Sequence, residues 1–132
     1  MIVNPKIEVR KSSIHGYGVF ANADIEIGEI LEECHFISVP GTSLSEEDKA
    51  FLSKNDLGKY MFRFPRGTMQ EIVWVLGAGS IYNSSFESNA DWETNEKRRL
   101  VIFRSIKNIQ KGEEILINYQ DHLEWCKRVN LI

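Results

Sequence analysis

The 132 residues are enough for one domain of ordinary size that buries its own core without disulfide staples. With 42% hydrophobic and 27% charged residues the composition lies near the globular mean, which argues against disorder and against a fibrous repeat. A net charge of −3 disfavours direct nucleic-acid binding, which needs a basic patch to displace counterions, and accommodates a basic partner more readily.

Cys34 and Cys126 lie far apart and belong to no Cys-x-x-Cys or Cys/His pattern, so two buried thiols are expected, with no zinc site and no disulfide framework. The first eleven residues carry no apolar signal core, and no stretch approaches the ~18 apolar residues of a membrane span. No membrane partner is expected, and the protein is read as intracellular.

In chain order, apolar and β-branched runs at 6–9, 18–21, 29–39, 60–64, 100–106 and 115–119 predict strands. Between the third and fourth, SLSEEDKAFL places Ser43 three residues before Glu46, a capping-box spacing that predicts one short helix. The acidic run Glu46-Glu47-Asp48 then suits the positive end of the helix dipole. A second short helix is predicted over 121–129. No Pro, Gly or Ser linker divides the chain, so the expectation is a single, mainly β domain over 1–132 with small helices.

One internal echo stands out: DIEIGE at 24–29 and NIQKGE at 108–113 share Ile, Gly and Glu at matching offsets. Each reads as a hairpin-like turn between strands, with Gly at positive φ and Ile tucked beneath. Two Gly-x-Gly sites, Gly16-Tyr17-Gly18 and Gly77-Ala78-Gly79, lack the context of a nucleotide fingerprint. That motif needs a strand, a glycine turn and a long helix, whereas Val19-Phe20-Ala21 continues as a strand and 82–85 starts a helix poorly.

Three segments, taken in order, resemble the SET-domain family of protein lysine methyltransferases. KSSIHGYGVFANADIEIGEIL (11–31) is similar to the family's opening Gly-aromatic-Gly, strand and Ile-x-x-Gly-Glu turn. GSIYNSSFESNAD (79–91) resembles its Asn-His-Ser-x-x-Pro-Asn motif, keeping Asn83, Ser85 and Asn89, with Ser84 in place of His and Ser88 in place of Pro. IKNIQKGEEILINYQDHLEW (106–125) resembles the closing Gly-Glu-Glu-Leu-x-Tyr-Asp-Tyr motif, with Tyr119 at the final tyrosine and Ile117-Asn118 in place of the preceding Tyr-Asp. The resemblance implies a SET-like fold of small curved sheets with a C-terminal pseudoknot and short helices.

It also implies the chemistry. A lysine amine would attack the methyl group of S-adenosylmethionine in line, leaving S-adenosylhomocysteine, without a metal. The cofactor and the peptide would enter opposite faces of a narrow channel, where alignment and water exclusion dominate. Lysine titrates near pH 10.4, so presenting it neutral at pH 7 costs roughly 4 to 5 kcal/mol, which an apolar channel and the adjacent sulfonium would offset.

On that resemblance Tyr119 is the catalytic candidate, its hydroxyl orienting the amine without trapping it as an ion pair, and it borders the cofactor. Asn83, with both donor and acceptor, suits the amino-acid end of the cofactor, and the backbone of Ser84 would assist. His15, Gly16 and Tyr17 would offer backbone groups to the cofactor. Trp125 would stack on adenine or else pack a C-terminal helix with Leu123 and Val129. Tyr60 and Tyr82 are the substrate-binding candidates; Tyr60 and Phe62 alternate as in a strand and would line the peptide groove or fill the core.

The expected partner is a basic protein or peptide carrying lysine, a histone tail among the candidates, with location cytoplasmic, or nuclear if the substrate is chromatin. The chain lacks cysteine-rich flanking modules, so its own C-terminus or a second copy in a homodimer would complete the channel. The alternative reading is a catalytically silent SET-like module that binds a peptide or partner.

Overall fold

The computed structural model describes residues 2–54 and 56–118. Its strands in chain order are β1 (Ile2–Val3), β2 (Ile7–Lys11), β3 (Tyr17–Ala21), β4 (Ile30–Cys34), β5 (Phe36–Pro40), β6 (Met61–Phe64), β7 (Glu71–Val75), β8 (Asn83–Ser84), β9 (Ala90–Asn95), β10 (Leu100–Ser105) and β11 (Glu114–Ile117), with one α-helix, α1 (Glu46–Ser53). They form three small sheets, ordered β1-β4-β10-β9, β2-β3-β11-β8 and β5-β7-β6. The expected mainly β architecture is present. The predicted C-terminal pseudoknot and the predicted helix over 121–129 lie outside the described residues.

The inward faces share one core. Phe62 meets Trp92 edge-on at 5.0 Å and Phe103 at 6.0 Å, and Tyr82 stacks on Phe103 at 4.6 Å, geometries that add to the burial of these large rings. Ile115 and Ile117 of β11 join that cluster with no exposure. A satellite cluster of Leu52, Met61 and Ile72 fastens α1 to the three-stranded sheet.

Four details depart from expectation. The run 29–39 is not one strand: it divides at His35, whose carbonyl accepts from Leu76 N at 2.9 Å, and β4 and β5 belong to different sheets. The helix is capped two residues later than the spacing suggested. Ser45 Oγ accepts from Asp48 N, Asp48 Oδ2 accepts in turn from Ser45 N, and Ser43 instead donates to the Pro40 carbonyl in a 3-10 turn, Gly41–Ser43. Strands β1, β7, β8 and β9 were not among those predicted; β8 and β9 are polar and short of β-branched residues, and β9 is held by its antiparallel pairing with β10.

The echo, finally, is not a pair of hairpins. Segment 24–29 carries the chain from β3 to β4 and segment 108–113 from β10 to β11, so each crosses from one four-stranded sheet to the other. The glycines do take positive φ, 90° at Gly28 and 93° at Gly112, and Ile25 and Ile109 are both buried. What the two copies pair with is each other. Ile25 and Ile109 exchange backbone bonds of 2.8 Å, Asp24 Oδ1 accepts from Lys111 N, and Asn108 Oδ1 accepts from Ile27 N. The resulting pseudo-twofold clasp sets the two sheets against one another.

Candidate functional site

The clasp brings β11 alongside β3, and β8 joins the free side of β11 in parallel, Leu116 opposite Asn83 and Ile117 opposite Ser84. Short polar β8 holds its place through side chains. Asn89 mimics a strand toward β11: its Nδ2 donates to the Glu114 carbonyl at 2.9 Å and its Oδ1 accepts from Leu116 N at 2.7 Å. Ser85 N donates to the Ile117 carbonyl at 3.0 Å.

The Glu114 side chain ties the segment before β3 to β8. Ser12 Oγ donates to its Oε1 at 2.6 Å and Asn83 Nδ2 to its Oε2 at 2.7 Å. Asn83 Nδ2 also lies within bonding distance of the His15 and Tyr17 carbonyls, at 3.1 and 3.2 Å. Gly18 is required where these groups converge, because a Cβ there would lie 2.3 Å from Glu114 Oε2 and 3.0 Å from Asn83 Nδ2. Gly16, at φ 46°, turns the chain back so that its carbonyl accepts from Ser12 N at 2.7 Å.

Beside this junction opens a cleft of about 830 Å³, lined by Val9, His15, Gly16, Tyr17, Lys59, Tyr60, Ser80, Ile81, Tyr82, Asn83 and Ser84. Its volume lies within the range of small-molecule sites, and a mostly apolar wall with a few polar groups is their usual make-up. Seven of the residues singled out from sequence, His15, Gly16, Tyr17, Tyr60, Tyr82, Asn83 and Ser84, thus border one space, although they come from three separate stretches of chain. Tyr119 and Trp125 lie outside the described residues. Phe62, the alternation partner of Tyr60, is wholly buried in the core, while Tyr60 is 39% exposed at the cleft. Ile117 fills core space as well.

Under one wall of the cleft lies Glu32, 1% exposed. Its carboxylate accepts from the Tyr82 hydroxyl at 2.8 Å and from Ala78 N at 3.1 Å, and Cys34 contributes a further side-chain bond. Burial raises its pKa above the ordinary carboxylate range, and the three bonds oppose that shift. The Cys34 thiol is pushed far up, by burial first and by the Glu32 charge second, and is inert as a nucleophile. Among the described residues no group of three metal-ligating side chains occurs.

Sequence reasoning passed over Ser12, Lys59, Glu114 and Glu32. Glu114 had a signal, as the second Glu of the Gly-Glu-Glu motif. Glu32 had none, since an acidic pair in a strand reads as solvated.

A family model described as SET domain matches residues 16–120. A Schizosaccharomyces pombe histone-lysine N-methyltransferase, H3 lysine-37 specific, is 25% identical over 122 residues, covering 92% of this chain and 78% of that protein. A solved Plasmodium falciparum protein assigned as a histone methyltransferase superposes with a TM-score of 0.68 at 30% identity, over 89% of this chain and 95% of that one. Polycomb Repressive Complex 2 of Chaetomium thermophilum, solved in an autoinhibited conformation bound to S-adenosylmethionine, shares the fold at a TM-score of 0.64 and 22% identity, over 92% of this chain and 16% of that one. Other relatives are much longer, and the chain spans only 4% of human histone-lysine N-methyltransferase 2B.

Proposed function

Because this chain belongs to the SET-domain family, we propose that it transfers a methyl group from S-adenosylmethionine to the side-chain amine of a protein lysine. The observation that carries the reading is the convergence of the first two family segments, 11–31 and 79–91, on one cleft of suitable size.

The cofactor fits the residues present: rings and aliphatic side chains for its nucleoside, backbone groups of His15, Gly16 and Tyr17, and the polar Asn83 and Ser84 for its amino-acid end. When bound, it supplies a methyl group activated on a sulfonium. The chain's share is alignment. Asn83, fastened to Glu114, holds the 12–18 segment and β8 at a set separation, so the cleft is preorganised before any ligand enters. Tyr60 and Tyr82 would line the way of the lysine and, with Ile81, keep water from it, which favours the neutral amine. Tyr119 would orient that amine, and Trp125 would cover the adenine.

The names of the relatives make histone H3 the first substrate to try, and a chromatin substrate would place the protein in the nucleus. A single domain over 1–132, with the channel completed by the C-terminal residues or by a second copy, belongs to the same proposal. One observation favours a silent binding module: the Asn83 amide protons are engaged by the protein itself. Calorimetric titration with S-adenosylmethionine, followed by single-turnover transfer of a labelled methyl group to H3 and to a pool of basic peptides, decides between them. Cofactor heat with lysine labelling is the expected result; an absence of both would reject the enzyme.

A further inference from the structure

Glu32 is buried with hydrogen-bond donors around it but no cation. Its neighbour Glu33 pairs with Arg98 at 2.8 Å, whereas among the described residues no ion pair reaches Glu32. A buried carboxylate without a cation is a cost to folding. Yet the surroundings are built for it: Gly77 takes φ 82° and a Cβ there would come within 2.9 Å of Glu32 Oε2, so the turn can close on the carboxylate only as glycine. Donors alone face it, from Tyr82, Ala78 and Cys34, an arrangement that suits the ionised acid. Tyr82, whose hydroxyl donates to it, borders the cleft and stacks its ring on Phe103.

We infer that Glu32 is a positioning residue that sets the cleft's preference for a cationic occupant, by placing its charge behind Tyr82 and fixing that ring through the phenol hydrogen bond. The inference rests on the reading of the cleft as the methyl donor's site. There, the donor carries a sulfonium and the product a neutral thioether, so the carboxylate in its ionised form, which its three donors favour against burial, holds the one and releases the other.

The test is calorimetric titration of the full chain with S-adenosylmethionine and with S-adenosylhomocysteine, for the wild type, Glu32→Gln and Tyr82→Phe, with circular dichroism to check folding. Lys59 and His15 also border the cleft, but they are unchanged in each variant, so the ratio of the two affinities isolates the contribution of Glu32. At an effective dielectric near 20, removal of one nearby charge predicts that Glu32→Gln lowers the sulfonium-to-thioether ratio on the order of tenfold. Affinity for the thioether should change little. Tyr82→Phe should lower the ratio in the same direction by less, and it decides alone if Glu32→Gln does not fold. A purely structural role would weaken both ligands together and leave the ratio as it was, which overturns the inference while the methyl-donor reading stands. Failure of the wild type to bind either ligand would overturn both.

Discussion

Replacing Gly18 with alanine tests how the cleft is held together. The new Cβ would stand 2.3 Å from Glu114 Oε2, and the carboxylate must retreat by about 1 Å to reach ordinary contact. It cannot do so and keep both of its short bonds, from Ser12 at 2.6 Å and Asn83 at 2.7 Å. Losing one hydrogen bond to a charged acceptor costs about 1.5 to 3 kcal/mol, and the reduced freedom of the unfolded chain returns about 0.4 to 1. The expected net is about 1 to 2 kcal/mol, or a fall in melting midpoint of roughly 3 to 8 °C. In a Glu114→Ala background the closest clash is gone and the Asn83 amide, 3.0 Å from the new Cβ, is the next atom met, so the cost should drop by about 1 kcal/mol or more, a coupling that a double-mutant cycle by urea unfolding resolves. Cofactor affinity should weaken in both single variants, because Asn83 loses its anchor. Equal costs with and without Glu114 would show that the contact does not govern the junction.

Three further outcomes are expected. Ser45→Ala should destabilise by about 1 kcal/mol in chemical denaturation through loss of the helix cap, whereas Ser43→Ala should cost less than half of that; the reverse order would restore the earlier capping site. Tyr119→Phe keeps the ring and removes the hydroxyl, so single-turnover methyl transfer should fall roughly tenfold to a hundredfold with cofactor affinity little changed; wild-type rates would shift the role to Tyr17 or Tyr60. Glu32 gives the pH dependence: its folded pKa is raised above the ordinary 4.5, so its favourable contribution is full below 4.5 and is lost as pH rises through the folded value. The stability of the wild type minus that of Glu32→Gln should therefore decline with rising pH in denaturant titrations, and a difference that is flat or grows would contradict the assigned shift.

What was legible in the sequence is what local chemistry decides. Glycines at positive φ, buried isoleucines under the turns and the apolar runs of β3, β6 and β10 follow from residues close in the chain. Strand β7, Glu-Ile-Val-Trp-Val, carried the same signal and was missed without physical excuse. The division of 29–39 between two sheets was not readable, because nothing in Cys34-His35-Phe36 states which ladder each side will join. Likewise the cleft residues were found through motif resemblance, while the groups that hold them, Ser12 and Glu114, are 102 positions apart and meet only in the folded chain.

The clasp explains how such distant groups come to meet. A single crossover between sheets is a lever: its strand can slide in register, and a one-residue slip of β11 would turn Ile115 and Ile117 out of the core. Two crossovers that cap each other's backbone remove that freedom. Asp24 and Asn108 satisfy the amides of Lys111 and Ile27 reciprocally, so neither segment can shift without unsatisfying the other. Gly112 N, bonded to the Ala21 carbonyl at 2.7 Å, then delivers β11 to β3 two residues before Glu114. The echo in the sequence is therefore tied to the site after all. It encodes no repeat of the domain; it is the brace that brings Glu114 to Asn83 and so gives the cleft its shape.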